Sequence, residues 1–238
     1  MSKNTPIPWT GHTINCITGC TKHSEGCLNC YAARMTARLK GMGQEKYSLG
    51  FGTVATHEGL LDEIGTYKKP SRVFINSMSD TFHKDVPVEF IQTMFQKFSQ
   101  YPQHTFQVLT KRSERLKELS SQLTWHPNIW MGVTVEKADY VHRLDDLRST
   151  GAHVKFVSFE PLLGPIPVEC IHDLDWVIVG GEKHLKPRPM KLEWARSIRD
   201  VCIQRNIAFF FKQQSCTSKK DSNPKLDGKR WQQFPTNN

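Results

Sequence analysis

RVFINSMSDTFHKDVPVEFIQTMFQKFSQYPQHTFQVLT, residues 72–110, is the stretch that decides the fold. It opens on an apolar run too short for a helix, RVFINSM (72–78), and closes on another, TFQVLT (105–110). Between them VEFIQTMFQKFSQY (88–101) sets Phe90, Ile91, Met94, Phe95 and Phe98 at helical spacing. Strand, amphipathic helix and strand in this order form a βαβ unit, whose crossover makes the two strands parallel.

The alternation continues outward. Downstream, SERLKELSSQL (113–123), KADYVHRLDDLRST (137–150) and LEWARSIRDVCIQR (192–205) read as helices. IWMGVTV (129–135), HVKFVSF (153–159), DWVIVGG (175–181) and IAFFFK (207–212) read as strands. Upstream, HTINCIT (12–18) supplies a first strand and CYAARMTARLKGM (30–42) a first helix. The prolines of PLLGPIPVECIH (161–172) leave room for only a short helix. Residues 41–70 are a longer, Gly-containing connection with no readable period. The reading is an α/β chain of about six to seven parallel strands. A partial or full (β/α) barrel and a doubly wound sheet both fit. Residues 1–214 form one barrel-like domain, and 215–238 an irregular basic tail.

Lys and Arg total 32 against 23 Asp and Glu, a formal charge of +9, which favours a polyanionic partner such as nucleic acid or a nucleotide. A basic balance also occurs in proteins that are merely soluble. The tail carries part of the excess in SKKDSNPKLDGKRW (218–231), where Trp231 is placed to stack on an unpaired base. No segment approaches the ~20 apolar residues of a membrane helix. The start, MSKNTPIPWTGHT, lacks the apolar core of a secretory signal, so a cytoplasmic protein without a membrane is expected. In that reducing compartment seven cysteines point to metal binding or catalysis ahead of disulfides.

Polar side chains gather just past the strands: Asn76, Ser77, Ser79 and Asp80, then Lys111 and Arg112, then Glu136, Glu160, Glu182 and Lys212. Any one of the acids reads equally well as a helix N-cap or first-turn residue favoured by the helix dipole. As a set on successive strands they converge on the carboxyl rim of the sheet, where α/β proteins build their sites.

Cys20, Cys27 and Cys30 follow the first strand in GCTKHSEGCLNCYAARM (19–35). Three thiolates so close suit a soft or borderline metal. A structural zinc needs a fourth protein ligand, from Cys16 or His23. An iron–sulfur cluster on three cysteines leaves one iron open to a small molecule. Two non-redox readings remain: a zinc-stabilised nucleic-acid-binding protein, and a nuclease whose rim carboxylates hold a hard cation while the cysteines are structural.

The stretches GCTKHSEGCLNCYAARM, VFINSMSDTFH, LTKRSERL, IWMGVTVE, FVSFEPLLGPI, DWVIVGGE and FFFKQ together resemble a phage-associated family of unknown function defined by a three-cysteine motif, over about residues 9–214. That family is distantly similar to radical S-adenosylmethionine enzymes. The resemblance implies a [4Fe-4S] cluster on Cys20, Cys27 and Cys30, with S-adenosyl-L-methionine on the open iron and an external electron donor. Its reductive cleavage gives a 5′-deoxyadenosyl radical that abstracts hydrogen from substrate. It implies Asn76, Ser77, Ser79 and Asp80 as cofactor contacts. Lys111, Arg112, Glu136, Glu160, Glu182 and Lys212 would face substrate, the cofactor carboxylate or a proton-transfer step. Radical enzymes usually space their cysteines x3 and x2, whereas this chain has x6 and x2. Their GGE follows strand two, where NSMSD stands here, and this chain's GGE follows strand six.

Overall fold

The structure, a computed structural model, describes residues 5–217 and 224–236. Its strands are β1 (His12–Ile14), β2 (Ile17–Thr18), β3 (Ala55–Thr56), β4 (Arg72–Ile75), β5 (Thr105–Thr110), β6 (Ile129–Thr134), β7 (Val154–Phe159), β8 (Trp176–Gly180) and β9 (Ala208–Gln213). Its α-helices are α1 (Tyr31–Gly41), α2 (Val88–Ser99), α3 (Ser113–Leu119), α4 (His142–Arg148) and α5 (Leu192–Gln204).

Seven strands form one sheet in the order β1-β4-β5-β6-β7-β8-β9, every neighbouring pair parallel. The order never reverses, which excludes the doubly wound alternative. The sheet curls into a half-barrel. Phe234 shows the curl: its ring lies on Trp176 of β8, with centroids 5.2 Å apart, and under the Arg72 guanidinium of β4, 3.8 Å away. In a flat sheet those strands, four places apart, stand almost 20 Å from each other.

The helices cover one face. All five apolar positions read on α2 are buried, in a core shared with Val73, Ile75, Val108, Met131, Val133, Val157, Val177 and Phe209. The concave face carries a separate core without helical residues: Trp9, Phe74, Trp130, Phe156, Trp176, Ile178 and Phe210. Alternation along each strand divides the two sets. Gly132 is glycine because Phe156 crosses its strand there; an added Cβ would stand 2.5 Å from the ring.

Several expected boundaries shift. The first strand breaks after Ile14, and Ile17–Thr18 turns to pair antiparallel with β3 inside the long 41–70 connection. Helix 137–150 contracts to α4 preceded by a single 3-10 turn, and helix 113–123 ends as α3 followed by another. Only a 3-10 turn, Val168–Cys170, follows β7.

The described part of the tail corrects the placing of Trp231. Its side chain is buried, edge-on to Phe209 and between the cations of Arg199 and Lys229, so it offers no face to a base. Phe211 N donates to Trp231 O and Gln233 N to Phe209 O, so this segment covers the edge of β9, which would otherwise expose unpaired backbone groups. Lys219 and Lys220, counted toward the basic arm, lie outside the described residues. Among the described residues no helix is long and apolar enough to cross a membrane.

Candidate functional site

Cys20, Cys27 and Cys30 are free thiols on the segment between β2 and α1. All three line one cavity of about 430 Å³ with Lys22, Leu28, Arg34, Phe51 and His184. Burial pushes the Cys20 thiol up to about 11, a rise that Asp80 reinforces and Arg112 opposes. Metal ligation therefore has to displace a proton there.

The two candidates for a fourth ligand are elsewhere. Cys16 is wholly buried, its Sγ 3.4 Å from Asn76 Oδ1 and 3.8 Å from Met94 Sδ, and burial pushes its thiol up to about 12. His23 lines a different pocket, with Phe82, His83 and Arg115. Among the described residues no three His, Cys, Asp or Glu side chains stand close enough to hold a single ion. Three thiols line this one cavity, with His184 also in its wall; an iron–sulfur cluster can take three cysteine ligands and leave one iron open. A structural zinc would need all four ligands at one point, and Cys16 and His23 do not supply the fourth here. The residues present fit the cluster in ligand chemistry and in number.

The strand-end side chains converge on the cysteine segment and hold it. Asp80 accepts hydrogen bonds from Thr110 Oγ1 (2.6 Å), Lys111 N (3.2 Å) and Arg112 Nη1 (2.9 Å), and Arg112 Nη2 donates to Thr21 O (2.9 Å), one residue past Cys20. Glu136, wholly buried, accepts from Ser24 Oγ (2.5 Å) and Arg143 Nη1 (2.9 Å), with Lys111 Nζ at 3.5 Å. Gly26 lies so close that an added Cβ would stand 2.4 Å from Glu136 Oε1. Glu182 accepts from Asn29 Nδ2 (2.9 Å) and pairs with Arg188, whose Nη1 donates to Glu25 O (2.9 Å). Burial works against the charge of Glu182. The bonds from Arg188 and Asn29 outweigh it and hold the carboxyl at about 2. The three acids thus hold Thr21 (through Arg112), Ser24 and Asn29, residues that lie between the cysteines.

Glu160 and Lys212 are arranged differently. Their charged atoms are 2.7 Å apart, Ser158 Oγ donates to Glu160 (3.0 Å), and both side chains keep some exposure on the concave face. The four positions at the end of β4 are engaged by protein. Asn76, with φ 58°, accepts from Ile17 N (3.0 Å) and donates to Thr81 Oγ1 (2.9 Å). Ser77 donates to Asn15 Oδ1 (3.1 Å), and Ser79 to Ile17 O (2.8 Å). With Asp80 they stitch β4 to residues 15–21. Tyr31 donates to Ser77 O across the same gap.

Sequence reading missed Ser24, Asn29, Arg143 and Arg188. For Ser24 and Asn29 a signal existed: both are short polar residues inside the cysteine spacing. Arg143 and Arg188 are ordinary basic residues in sequence, and only the fold brings them to their carboxylates.

The sequence profile of a family described as "Protein of unknown function (DUF5131)" matches residues 4–235. The chain belongs to this family. No curated protein matches it. A solved structure, "Spore photoproduct lyase complexed with dinucleoside spore photoproduct", is similar at 11% sequence identity and a TM-score of 0.49. The match covers 84% of this chain and 63% of that one, so this DUF5131 member spans less than two thirds of that protein's length.

Proposed function

We propose that this protein is a radical S-adenosylmethionine-type enzyme, with Cys20, Cys27 and Cys30 holding a [4Fe-4S] cluster at the carboxyl rim of the half-barrel. The observation that carries the reading is the cavity lined by these three thiols while Cys16 and His23 face elsewhere. A cluster held by Cys20, Cys27 and Cys30 and reduced by an external donor would supply one-electron chemistry to bound S-adenosyl-L-methionine, leading to hydrogen abstraction from substrate.

The chain's own residues bind, orient and shield. Arg112, Glu136 and Glu182 fix the segment between the cysteines, so the thiols are set by packed strands instead of a free loop. Asn76, Ser77, Ser79 and Asp80 act on the same site as positioning residues, through residues 15–21. Lys111 Nζ, 3.5 Å from Glu136 Oε1, adds a second cation beside that carboxylate. Glu160 and Lys212 face the concave interior and are the pair placed to meet substrate or the cofactor carboxylate, or to move a proton between Lys212 Nζ and Glu160 Oε1. The aromatic floor of the concave face excludes water from beneath. The net charge favours a nucleotide-bearing substrate. The nuclease reading lacks support, since Asp80, Glu136 and Glu182 are each bound to a guanidinium, leaving no free carboxylate set for a hard cation.

The test is anaerobic purification with iron and sulfide assays. About four of each per chain are expected in wild type and Cys16→Ala, falling to near zero in Cys20→Ala, Cys27→Ala and Cys30→Ala. Dithionite with S-adenosyl-L-methionine should then yield 5′-deoxyadenosine. A colourless protein with one zinc per chain, or loss of iron in Cys16→Ala equal to the other three, overturns the reading.

A further inference from the structure

A second cavity, of about 250 Å³, adjoins the cysteine cavity and shares Thr21 and Lys22 as its wall. Its cations are Lys22, Lys84, Arg112 and Arg115, with His23 and His83; the carboxylate in its wall is Glu114. Arg112 is neutralised by Asp80. Among the described residues Arg115 forms no ion pair: its Nη1 and Nη2 donate to the carbonyls of His83 and Val86, with Glu118, Asp80 and Asp85 acting on its charge from farther off. Lys22 and Lys84 are exposed, and among the described residues neither forms an ion pair. Asp85, half exposed beside His83, and Glu118 are further acids nearby. The far side of the shared wall is basic too, with Arg34 and His184 lining the cysteine cavity.

Lys22 and Lys84 are the pocket's exposed cations without an ion pair, and exposed cations at a concave surface attract an anion. We infer that this pocket is a phosphate-binding site, and that its ligand is a phosphodiester group of a single-stranded nucleic acid that crosses the Thr21–Lys22 wall toward the cysteines. Two lysines supply point charges and Arg115 a fixed guanidinium, the usual equipment for phosphate. A strand suits the site better than free phosphate because cations stand on both sides of the shared wall, Lys84 in one cavity and Arg34 in the other, with Lys22 between. The pocket stands on its own charges. That the bound strand is the substrate rests on the function proposed above.

The test is fluorescence anisotropy with a labelled ten-nucleotide oligothymidylate at low salt, on the full-length protein. Lys22→Ala/Lys84→Ala removes two exposed lysines without touching the core. It should weaken binding at least about tenfold, or roughly 1.4 kcal/mol. It should also flatten the dependence of log K on log salt by between about one and two. Lys84→Glu should weaken binding further than Lys84→Ala. The tail control Lys225→Ala/Arg230→Ala should change affinity less than about twofold, and iron content should be equal in all. Unlabelled oligonucleotide should displace the probe at far lower concentration than inorganic phosphate. Wild-type affinity in the lysine double variant, an equal loss in the tail control, or displacement by inorganic phosphate as effective as by the strand each overturns the inference. Iron content is read separately, so a protein that binds the strand normally but carries no cluster sinks the proposed function and leaves the pocket standing.

Discussion

The two ends of the concave face belong to the same strands and are built from opposite materials. Where the strands begin, Phe74, Trp130, Phe156, Trp176 and Phe210 close the half-barrel with rings, sealed by Trp9 and Phe234. Where they end, the same strands deliver Asp80, Glu136, Glu160 and Glu182, with Lys212. The lower end is held by area and packing, which are non-directional and shared among many contacts. The upper end is held by single directional bonds: those around Asp80, Glu136 and Glu182 grip the cysteine segment, and Glu160 pairs with Lys212. The first arrangement gives stability, the second gives position.

The largest effect should come from breaking the lower end. Trp176 is wholly buried and touches the rings of Trp9, Trp130, Phe156, Phe210 and Phe234, while its Nε1 donates to Gln233 O (2.9 Å). Trp176→Ala should cost about 3–5 kcal/mol in chemical denaturation, and lower Tm by roughly 10 °C or more. The loss should be global, because this residue joins β8 to the N-terminal segment and to the tail. A variant that melts like wild type, with the cysteine site alone disturbed, would reverse the division of labour between the two ends.

How far each end is legible in sequence follows from the same difference. Parallel strands and the α2 face could be read because apolar residues repeat at fixed periods, as Phe90, Ile91, Met94, Phe95 and Phe98 do. The rim could be located because strand ends are ordered along the chain. What each rim residue touches could not, because Glu136 meets Ser24 across 112 positions and Glu182 meets Asn29 across 153, contacts that no local pattern encodes. Asn76 and the serines beside it offered polar groups that looked available. Only the turn of residues 15–18 away from the sheet shows that this segment takes them. Trp231 misled for the converse reason: a Trp in a run of Lys, Arg and Gly looks exposed until the open edge of β9 is seen beneath it.

An intermediate effect should appear on acidification, and it separates the two ends by charge. Glu182 stands at about 2 in the fold against an ordinary 4.5. A depressed carboxyl contributes stability that is complete above the unfolded value and fades as pH falls through the folded one. The contribution should therefore be full above about pH 4.5 and vanish toward pH 2. Glu182→Gln should be less stable than wild type at pH 7 by about 1–3 kcal/mol, the cost of a hydrogen bond to a charged group. The two proteins should approach each other between pH 4.5 and 2. Denaturant midpoints measured across that range check it. Curves that run parallel down to pH 2 would mean that the Arg188 and Asn29 contacts do not hold the carboxylate in solution.

The smallest effect on stability, and the most local, should come from Ser24→Ala. Ser24 sits between Cys20 and Cys27, partly exposed, and its Oγ donates to Glu136 Oε1 at 2.5 Å. The carboxylate keeps Arg143 at 2.9 Å and Lys111 at 3.5 Å after the hydroxyl is gone, so it is not left bare. The expected global cost is therefore only about 1 kcal/mol. The cysteine segment, however, loses the tie that Ser24 makes to Glu136 just past β6, and the neighbouring Glu25 keeps exposed contacts to Lys137 and Arg188, which water competes for. Amide hydrogen exchange across residues 22–28 should rise at least about tenfold while the strands keep wild-type protection, since local opening is governed by local contacts. Ser24→Thr keeps the hydroxyl and should restore most of the protection. Uniform acceleration in the strands and the segment together would mean that the rim network stabilises the whole fold, and that the upper end is a second core instead of a positioning device.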